Sequence, residues 1–247
     1  MDYSIIIPAY NEEQLLPRTL KSLSESMLSL PGEGEIIVVD NNSTDRTPGI
    51  ARRHGARVVF EPINQISRAR NAGARVAKGR YLLFVDADTI APRPLLENAI
   101  RALRTGRVCG GGSTVSLDKK VERGRYFLSV WNWLSTTFSI GAGSFLFCLK
   151  EAFDDVNGFS EKVYAGEEIF FSRALKRWGA QRGYEFRILS LDPVVTSARK
   201  LDWFGDLRLL RTAITLMVNP WAIQKRERCW IWYKRPGEDS LAPDHAR

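Results

Sequence analysis

The first hundred residues predict an α/β fold with a mostly parallel central sheet and helices on both faces. Three observations carry the prediction. Short β-branched apolar runs recur at Tyr3 to Pro8, Glu35 to Asp40, Val58 to Phe60 and Tyr81 to Asp86. Amphipathic stretches separate them, and each connection is short. With 247 residues and 44% apolar content, the chain can bury a full-sized core. It is read as one domain over residues 1–218, divided near residue 105, with a tail over 219–247.

Taken in order, the first helix is expected where Leu16, Leu20, Leu23 and Met27 recur at helical spacing. Asn11-x-x-Gln14 before it has the form of a capping box, and Pro17 blurs its start. The second helix is expected from Thr47-Pro48 to His54 with Gly55 closing it, and the third from Ser67 to Lys78 with Gly79 closing it. Beyond Gly106, Gly110-Gly111-Gly112 reads as a bend, Val121 to Phe138 as a helix and Gly143 to Leu149 as a strand. A helix follows Gly166, then strands near Glu185 to Leu191 and Val194 to Ser197, then a helix from Trp203 to Val218. The longest apolar stretch, Ile140 to Leu149, is half the length of a membrane-spanning helix and reads as a buried strand.

A formal charge of +8 favours anionic partners: nucleotide diphosphates, a membrane surface or nucleic acid. Basic residues spread along the whole chain, with no zinc-finger or RNA-binding signature, argue against nucleic acid. Three scattered cysteines without CxxC spacing predict reduced thiols in a cytoplasmic protein. The N-terminus enters Ile5 to Ile7 at once, without the pattern of a signal peptide. A soluble protein follows, or a peripheral one at the inner face of the membrane.

In open α/β sheets ligands bind beyond the carboxyl ends of the strands, so polar residues there are the candidates. Asp86-Ala87-Asp88 ends a buried strand with two carboxylates one residue apart, which suits a hard cation such as Mg²⁺ or Mn²⁺. Capping of a helix near Pro92 would use the same residues. Asp40 closes the second strand and could accept a hydrogen bond from a base edge, or cap the turn that follows it. Pro8-Ala9-Tyr10-Asn11-Glu12 ends the first strand: Tyr10 could flank a base and Glu12 bind it or the ribose. Arg68 and Arg70, near the start of the third helix, offer positive charge to a diphosphate. A solvated helix face is the alternative for Arg68.

Together, SIIIPAYNEE, IIVVDNNSTDRT, SRARNAGARVAKGRYLLFVDADT and GEE resemble the family 2 glycosyltransferases of the nucleotide-diphospho-sugar transferase (GT-A) type. The resemblance is strong over residues 1–105 and looser to about residue 180. It implies inverting transfer of a sugar from a nucleotide-diphospho-sugar, with UDP or GDP sugars the leading donors. Residues 1–105 would bind the donor and 106–218 the acceptor. It puts Pro8, Tyr10, Glu12 and Asp40 around base and ribose, and Asp86 and Asp88 at a diphosphate-bound metal with Arg70 nearby. It also implies a general base in an acidic pair, here Glu167-Glu168. Glu168 shares a stripe with Phe171, Leu175 and Trp178, so it is expected to face inward and to be kept ionised by the helix dipole. The alternative is that both acids merely decorate the first turn.

Many members of the family add a histidine ligand. This chain has only His54 and His245, neither in a suitable segment, and Thr196 to Lys200 stands in the approximate place with cations instead.

On the acceptor side, Tyr126, Phe127, Val130, Trp131, Leu134 and Phe138 recur at helical spacing, and Trp133 lies off that stripe. In the tail, Lys225, Arg226, Arg228, Trp230, Trp232, Tyr233, Lys234 and Arg235 mix cations with aromatics. That mixture suits either a peripheral membrane contact, with a glycan or lipid-linked acceptor, or a packed tail. Two rival readings remain: a non-catalytic binding module of the same fold, and a sugar nucleotidyltransferase. The second would need a Gly-rich basic loop where this chain has Ala9-Tyr10-Asn11-Glu12.

Overall fold

The computed structural model describes residues 1–118, 141, 143–199, 203 and 220–233. Its strands are Tyr3–Ala9 (β1), Gly34–Asp40 (β2), Arg57–Phe60 (β3), Tyr81–Val85 (β4), Thr89–Ile90 (β5), Val108–Leu117 (β6), Phe145–Leu149 (β7) and Glu185–Thr196 (β8). Its α-helices are Leu16–Met27 (α1), Thr47–Arg53 (α2), Ile66–Val76 (α3), Arg93–Arg104 (α4), Lys150–Asp155 (α5), Glu167–Ala180 (α6) and Trp230–Tyr233 (α7). Two 3-10 turns, Pro220–Gln224 and Arg226–Cys229, precede α7.

The strands form one sheet in the order β3-β2-β1-β4-β7-β6-β8-β5. The β3-β2-β1-β4 half and the β6-β8 pair are parallel, whereas β7 runs antiparallel to both β4 and β6. Side chains alternate across each strand. Ile5, Ile7, Val38 and Leu83 pack under α1, α2 and α4. Ile6, Val39, Leu82 and Phe84 pack under α3, α5 and α6. Each large side chain buried in this way contributes about 1.5–3 kcal/mol. On the second face Phe84, Phe153, Phe159 and Phe171 form an aromatic cluster, with the Phe159 and Phe171 centroids 4.1 Å apart. This cluster is the floor on which the site is built.

Several expectations are corrected. No capping box starts α1: Leu15 is its N-cap without a side-chain hydrogen bond, and Pro17 lies in the first turn. Asn11, at φ 49°, instead accepts a hydrogen bond at Oδ1 from the Thr44 amide at 2.8 Å. Helix α3 ends at Val76 rather than Lys78, because Ala77 turns extended. Gly79 is needed for close approach, since a Cβ there would lie 2.3 Å from the Tyr3 carbonyl carbon.

The triple glycine is not a bend but the middle of β6, squeezed between β7 and β8. A Cβ on Gly111 would lie 1.9 Å from the Arg187 carbonyl oxygen. The two strands expected after Gly183 are one, β8. Its pairing with β6 passes from Ser113↔Leu189 to Val115↔Val194, so residues 190–193, with Pro193, form an irregularity that a proline tolerates. The helices expected at 121–138 and, but for Trp203, at 203–218 lie outside the described residues, with Tyr126 to Phe138 and Trp133 in the first. Tail residues 220–233 follow the packed-tail alternative: Cys229 and Tyr233 pack with Ala165 against Ile66 and Tyr164.

Candidate functional site

The carboxyl ends of β1 and β4 open into a cavity of about 230 Å³. Its walls come from Pro8, Ala9, Tyr10 and Glu12 after β1, Asn41 after β2, Asn64 before α3, and Ile66 and Arg70 of α3. The rest are Asp86, Ala87 and Asp88 after β4, Gly143 and Ser144 before β7, Glu167 and Glu168 of α6, and Arg199, Trp203, Ile231, Trp232 and Tyr233.

The Asp86-Ala87-Asp88 turn is pinned from three sides. Asp86 N–H donates to the Ser144 carbonyl at 3.3 Å, Thr89 N–H donates to the Asp86 carbonyl at 3.1 Å, and Thr19 Oγ1 donates to the Ala87 carbonyl at 2.9 Å. Helix α4 is N-capped by Pro92 without a side-chain hydrogen bond, so neither aspartate serves it as a cap. Both carboxylates line the cavity.

Arg70 lies wholly inside, its guanidinium 5.2 Å from the Phe159 ring centroid. Nη1 donates to Glu167 Oε1 at 2.6 Å, and Nη2 to Asp86 Oδ1 at 3.0 Å and to the Gly143 carbonyl at 2.7 Å. Burial alone would lower its pKa, but the Asp86 and Glu167 charges leave it raised. Arg199 holds Glu12 with both terminal nitrogens and lies 3.0 Å from Asp88 Oδ2. Five carboxylates thus face two guanidinium groups among the described lining residues.

That excess of negative charge falls on Glu168. Its pKa is pushed up to about 8, first by burial and then by the Glu167 charge. The sequence reading is corrected on two points. The fully buried acid of the pair is Glu167, tied to Arg70, while Glu168 is half-buried at the cavity wall. The helix terminus does not keep Glu168 ionised, because burial and a like charge outweigh it.

Other residues depart from expectation as well. Asp40 Oδ1 accepts from the Ser43 amide at 3.0 Å, the turn-capping alternative, and Asn41 rather than Asp40 reaches the cavity. Arg68 is neither a solvated face nor a cavity residue: it pairs with Glu61 at 3.2 Å and Glu161 at 2.7 Å. His54, by contrast, lies where the sequence reading puts it, exposed at the end of α2 and away from any metal-ligand segment.

Sequence reasoning missed Asn41, whose Nδ2 donates to the Glu61 and Ile63 carbonyls and whose Oδ1 accepts from Gln65 N–H. These bonds shape the loop that presents the N-terminus of α3 to the cavity. It also missed Tyr233, whose hydroxyl accepts from Ile66 N–H at 3.5 Å. A single asparagine in a polar run carries no visible signal. Tyr233 had one in its aromatic neighbours, but their register on the fold did not show.

As to a metal, the donor set is two carboxylates with no His or Cys, and no cluster of three protein ligands forms among the described residues. Such a pair fits Mg²⁺ or Mn²⁺ completed by phosphates and water.

A family model, glycosyl transferase family 2, matches residues 4–156. The chain belongs to this family. Among its relatives is validoxylamine A glucosyltransferase of Streptomyces hygroscopicus subsp. limoneus, 32% identical over 105 residues, 40% of this chain and 23% of that protein. Another is 4,4'-diaponeurosporenoate glycosyltransferase of Staphylococcus haemolyticus, 41% identical over 92 residues, 34% of this chain and 24% of that protein. The matched stretch is about a quarter of the length of either.

Solved structures share the GT-A fold. Glucosyl-3-phosphoglycerate synthase of Mycobacterium tuberculosis, in complex with Mn²⁺, UDP and glucosyl-3-phosphoglycerate, aligns with a TM-score of 0.63 at 20% identity, covering 92% of this chain and 80% of that one. TarS of S. aureus with UDP-GlcNAc gives 0.61 at 19%, covering 81% and 59%. Mannosyltransferase PcManGT of Pyrobaculum calidifontis, with GDP-Man and Mn²⁺, gives 0.60 at 24%, covering 86% and 64%. In this family 2 glycosyltransferase, Pro8, Tyr10, Glu12, Asp40, Arg70, Asp86 and Asp88 fall inside the matched stretch, whereas Glu167, Glu168, Arg199 and Tyr233 lie beyond it.

Proposed function

We propose that this family 2 glycosyltransferase moves a sugar, with inversion, from a nucleotide-diphospho-sugar to a hydroxyl acceptor, with Mg²⁺ or Mn²⁺ held by Asp86 and Asp88. The observation that carries the reading is the charge balance of the cavity, where five carboxylates face two guanidinium groups among the described lining residues. A diphosphate cannot enter so acidic a site without bringing positive charge. UDP and GDP sugars are the preferred donors, as the solved neighbours bound to UDP-GlcNAc and GDP-Man support.

Tyr10 and Pro8 flank the base, and Glu12, with Asp40 behind it, serves base and ribose. The cation, when bound, offsets negative charge developing on the leaving diphosphate. Arg70, already ionised and fixed by Asp86 and Glu167, supplies a positive charge that needs no reorganisation as the bond breaks. Glu168 accepts the proton of the acceptor hydroxyl as its oxygen attacks the anomeric carbon, and Glu167 positions Arg70. With its pKa at about 8, most of Glu168 is protonated in the free protein at neutral pH, and it serves as base in its ionised form, which is a stronger base than an ordinary carboxylate. Attack opposite the departing diphosphate inverts the centre in one displacement and needs no protein nucleophile.

The acceptor is proposed to be a glycan or a lipid-linked hydroxyl. Exposed Trp221 and Trp232, beside exposed Lys225 and Arg228, support peripheral contact with an anionic membrane. No helix among the described residues is long and apolar enough to cross one.

The test is release of nucleoside diphosphate from UDP-glucose, UDP-GlcNAc and GDP-mannose, with Mn²⁺ and after chelation. Mn²⁺-dependent release from one donor, lost in Asp88→Asn, is expected. Donor binding without release from any donor would favour the non-catalytic module.

A further inference from the structure

Arg199 reaches the cavity from the turn after β8, and its position is fixed locally. Thr196, the last residue of β8, pairs with Thr89 of β5, and their hydroxyls lie 3.1 Å apart. Ala198 N–H donates to Asp118 Oδ1 at 3.1 Å. The backbone is therefore anchored beside Asp88, while the long side chain alone spans the gap to Glu12.

The guanidinium grips both oxygens of Glu12, Nη1 at 2.7 Å from Oε2, and Nη2 also meets Asp88 Oδ2 at 3.0 Å. It lies over the Trp203 ring, 5.0 Å from the centroid. Its Nε–H is buried with no acceptor among the described residues, so one donor of the fork is unsatisfied in this arrangement. The two aspartates of the turn differ accordingly. The Asp86 side chain is 35% exposed, whereas that of Asp88 is 13% exposed beneath Arg199.

We propose that Arg199 is an internal cation that holds Asp88 and Glu12 until the donor arrives, so that metal and nucleotide bind the free enzyme only cooperatively. The inference rests on the metal reading above and goes beyond it. A divalent cation arriving alone must take Asp88 from Arg199, leaving a guanidinium in a largely buried place with one partner fewer. A cation arriving with a diphosphate removes that penalty. The phosphate oxygens offer Arg199 a new anionic partner, the buried Nε–H gains an acceptor, and Glu12 is released to the nucleoside. Arg199 is thus a positioning residue whose partners change between the free and the loaded site.

The experiment measures Mn²⁺ affinity of the full chain by isothermal titration and by the electron spin resonance signal of free Mn²⁺, without nucleotide and with saturating UDP or GDP. Wild type should bind Mn²⁺ about 10-fold or more tightly with its nucleotide than without, within the usual range of coupling between sites. Arg199→Met should tighten Mn²⁺ binding in the absence of nucleotide by about 10-fold and shrink the nucleotide effect to a few-fold. Arg199→Lys keeps the charge but not the fork, and should fall between the two; it serves if the methionine variant does not fold.

Variants that bind Mn²⁺ alone no more tightly than wild type overturn the latch and leave the metal reading standing. A wild-type protein that binds Mn²⁺ equally well with and without nucleotide likewise overturns the latch alone, and one that binds no Mn²⁺ under either condition overturns both.

Discussion

Replacing Glu168 by glutamine is predicted to stabilise the metal-free protein at alkaline pH while stopping transfer. In the folded chain the carboxyl is raised from 4.5 to about 8 by burial and by Glu167. A raised acid holds its proton more firmly folded than unfolded. Its contribution to stability is therefore complete below about pH 4.5 and is lost as pH rises through about 8. At about 1.4 kcal/mol per pH unit, that rise sets a ceiling of about 5 kcal/mol on the strain of an ionised Glu168. Side-chain movement and water entry relieve part of it, leaving about 2 kcal/mol, or roughly 4–8 °C in Tm for a domain of this size.

The assay is thermal unfolding of both proteins with a chelator present, at pH 5 and pH 9. Glutamine should gain those degrees at pH 9 and nearly nothing at pH 5, where the wild-type carboxyl is already neutral. Equal Tm values at pH 9, or the same gain at both pH values, would refute the placement of Glu168 in an acid-rich, water-poor wall.

Arg70→Met should cost about 3–5 kcal/mol by chemical denaturation, because it leaves buried Glu167 without its partner; adding Glu167→Gln should recover a large part of the loss. Gly111→Ala should cost about 1–3 kcal/mol or more, since its Cβ would meet the Arg187 carbonyl at 1.9 Å, whereas Gly49→Ala in α2, with its nearest contact at 3.6 Å, should be neutral or slightly stabilising in the same assay.

The half of the fold built by parallel pairing was legible because its signals are local. Ile5 to Ile7, Ile36 to Val39 and Leu82 to Val85 are β-branched or apolar runs that end in polar residues, and each helix between them carries its own leucine or alanine stripe. Parallel strands end on one rim, so Tyr10, Glu12, Asp86 and Asp88 could be assigned to it in advance, as was Asp40, which instead caps its own turn. What failed was set by distant contacts. Gly111 looks like a bend until Arg187 and Phe147 close on it from two strands. Pro193 looks like a break until β6 absorbs it as a register shift.

The acidic pair shows the same limit. Helical periodicity admits Glu167 and Glu168 almost equally to the inward stripe, and the choice between them falls to Arg70, 97 residues earlier in the chain. Arg199 was recognisable as a cation in the right segment, but its grip on Glu12, 187 residues away, belongs to tertiary structure alone.

The central claim is a cation-assisted nucleotide-diphosphate site at Asp86 and Asp88. It is tested most directly by thermal unfolding with UDP, GDP, CDP and TDP, each with and without Mn²⁺, on wild type and Asp88→Asn. At about 100 times its Kd, one nucleotide with Mn²⁺ should stabilise wild type by about 2.7 kcal/mol, or roughly 5–10 °C, and Asp88→Asn by far less. No stabilisation by any nucleotide with Mn²⁺, or an equal shift in Asp88→Asn, would contradict the account.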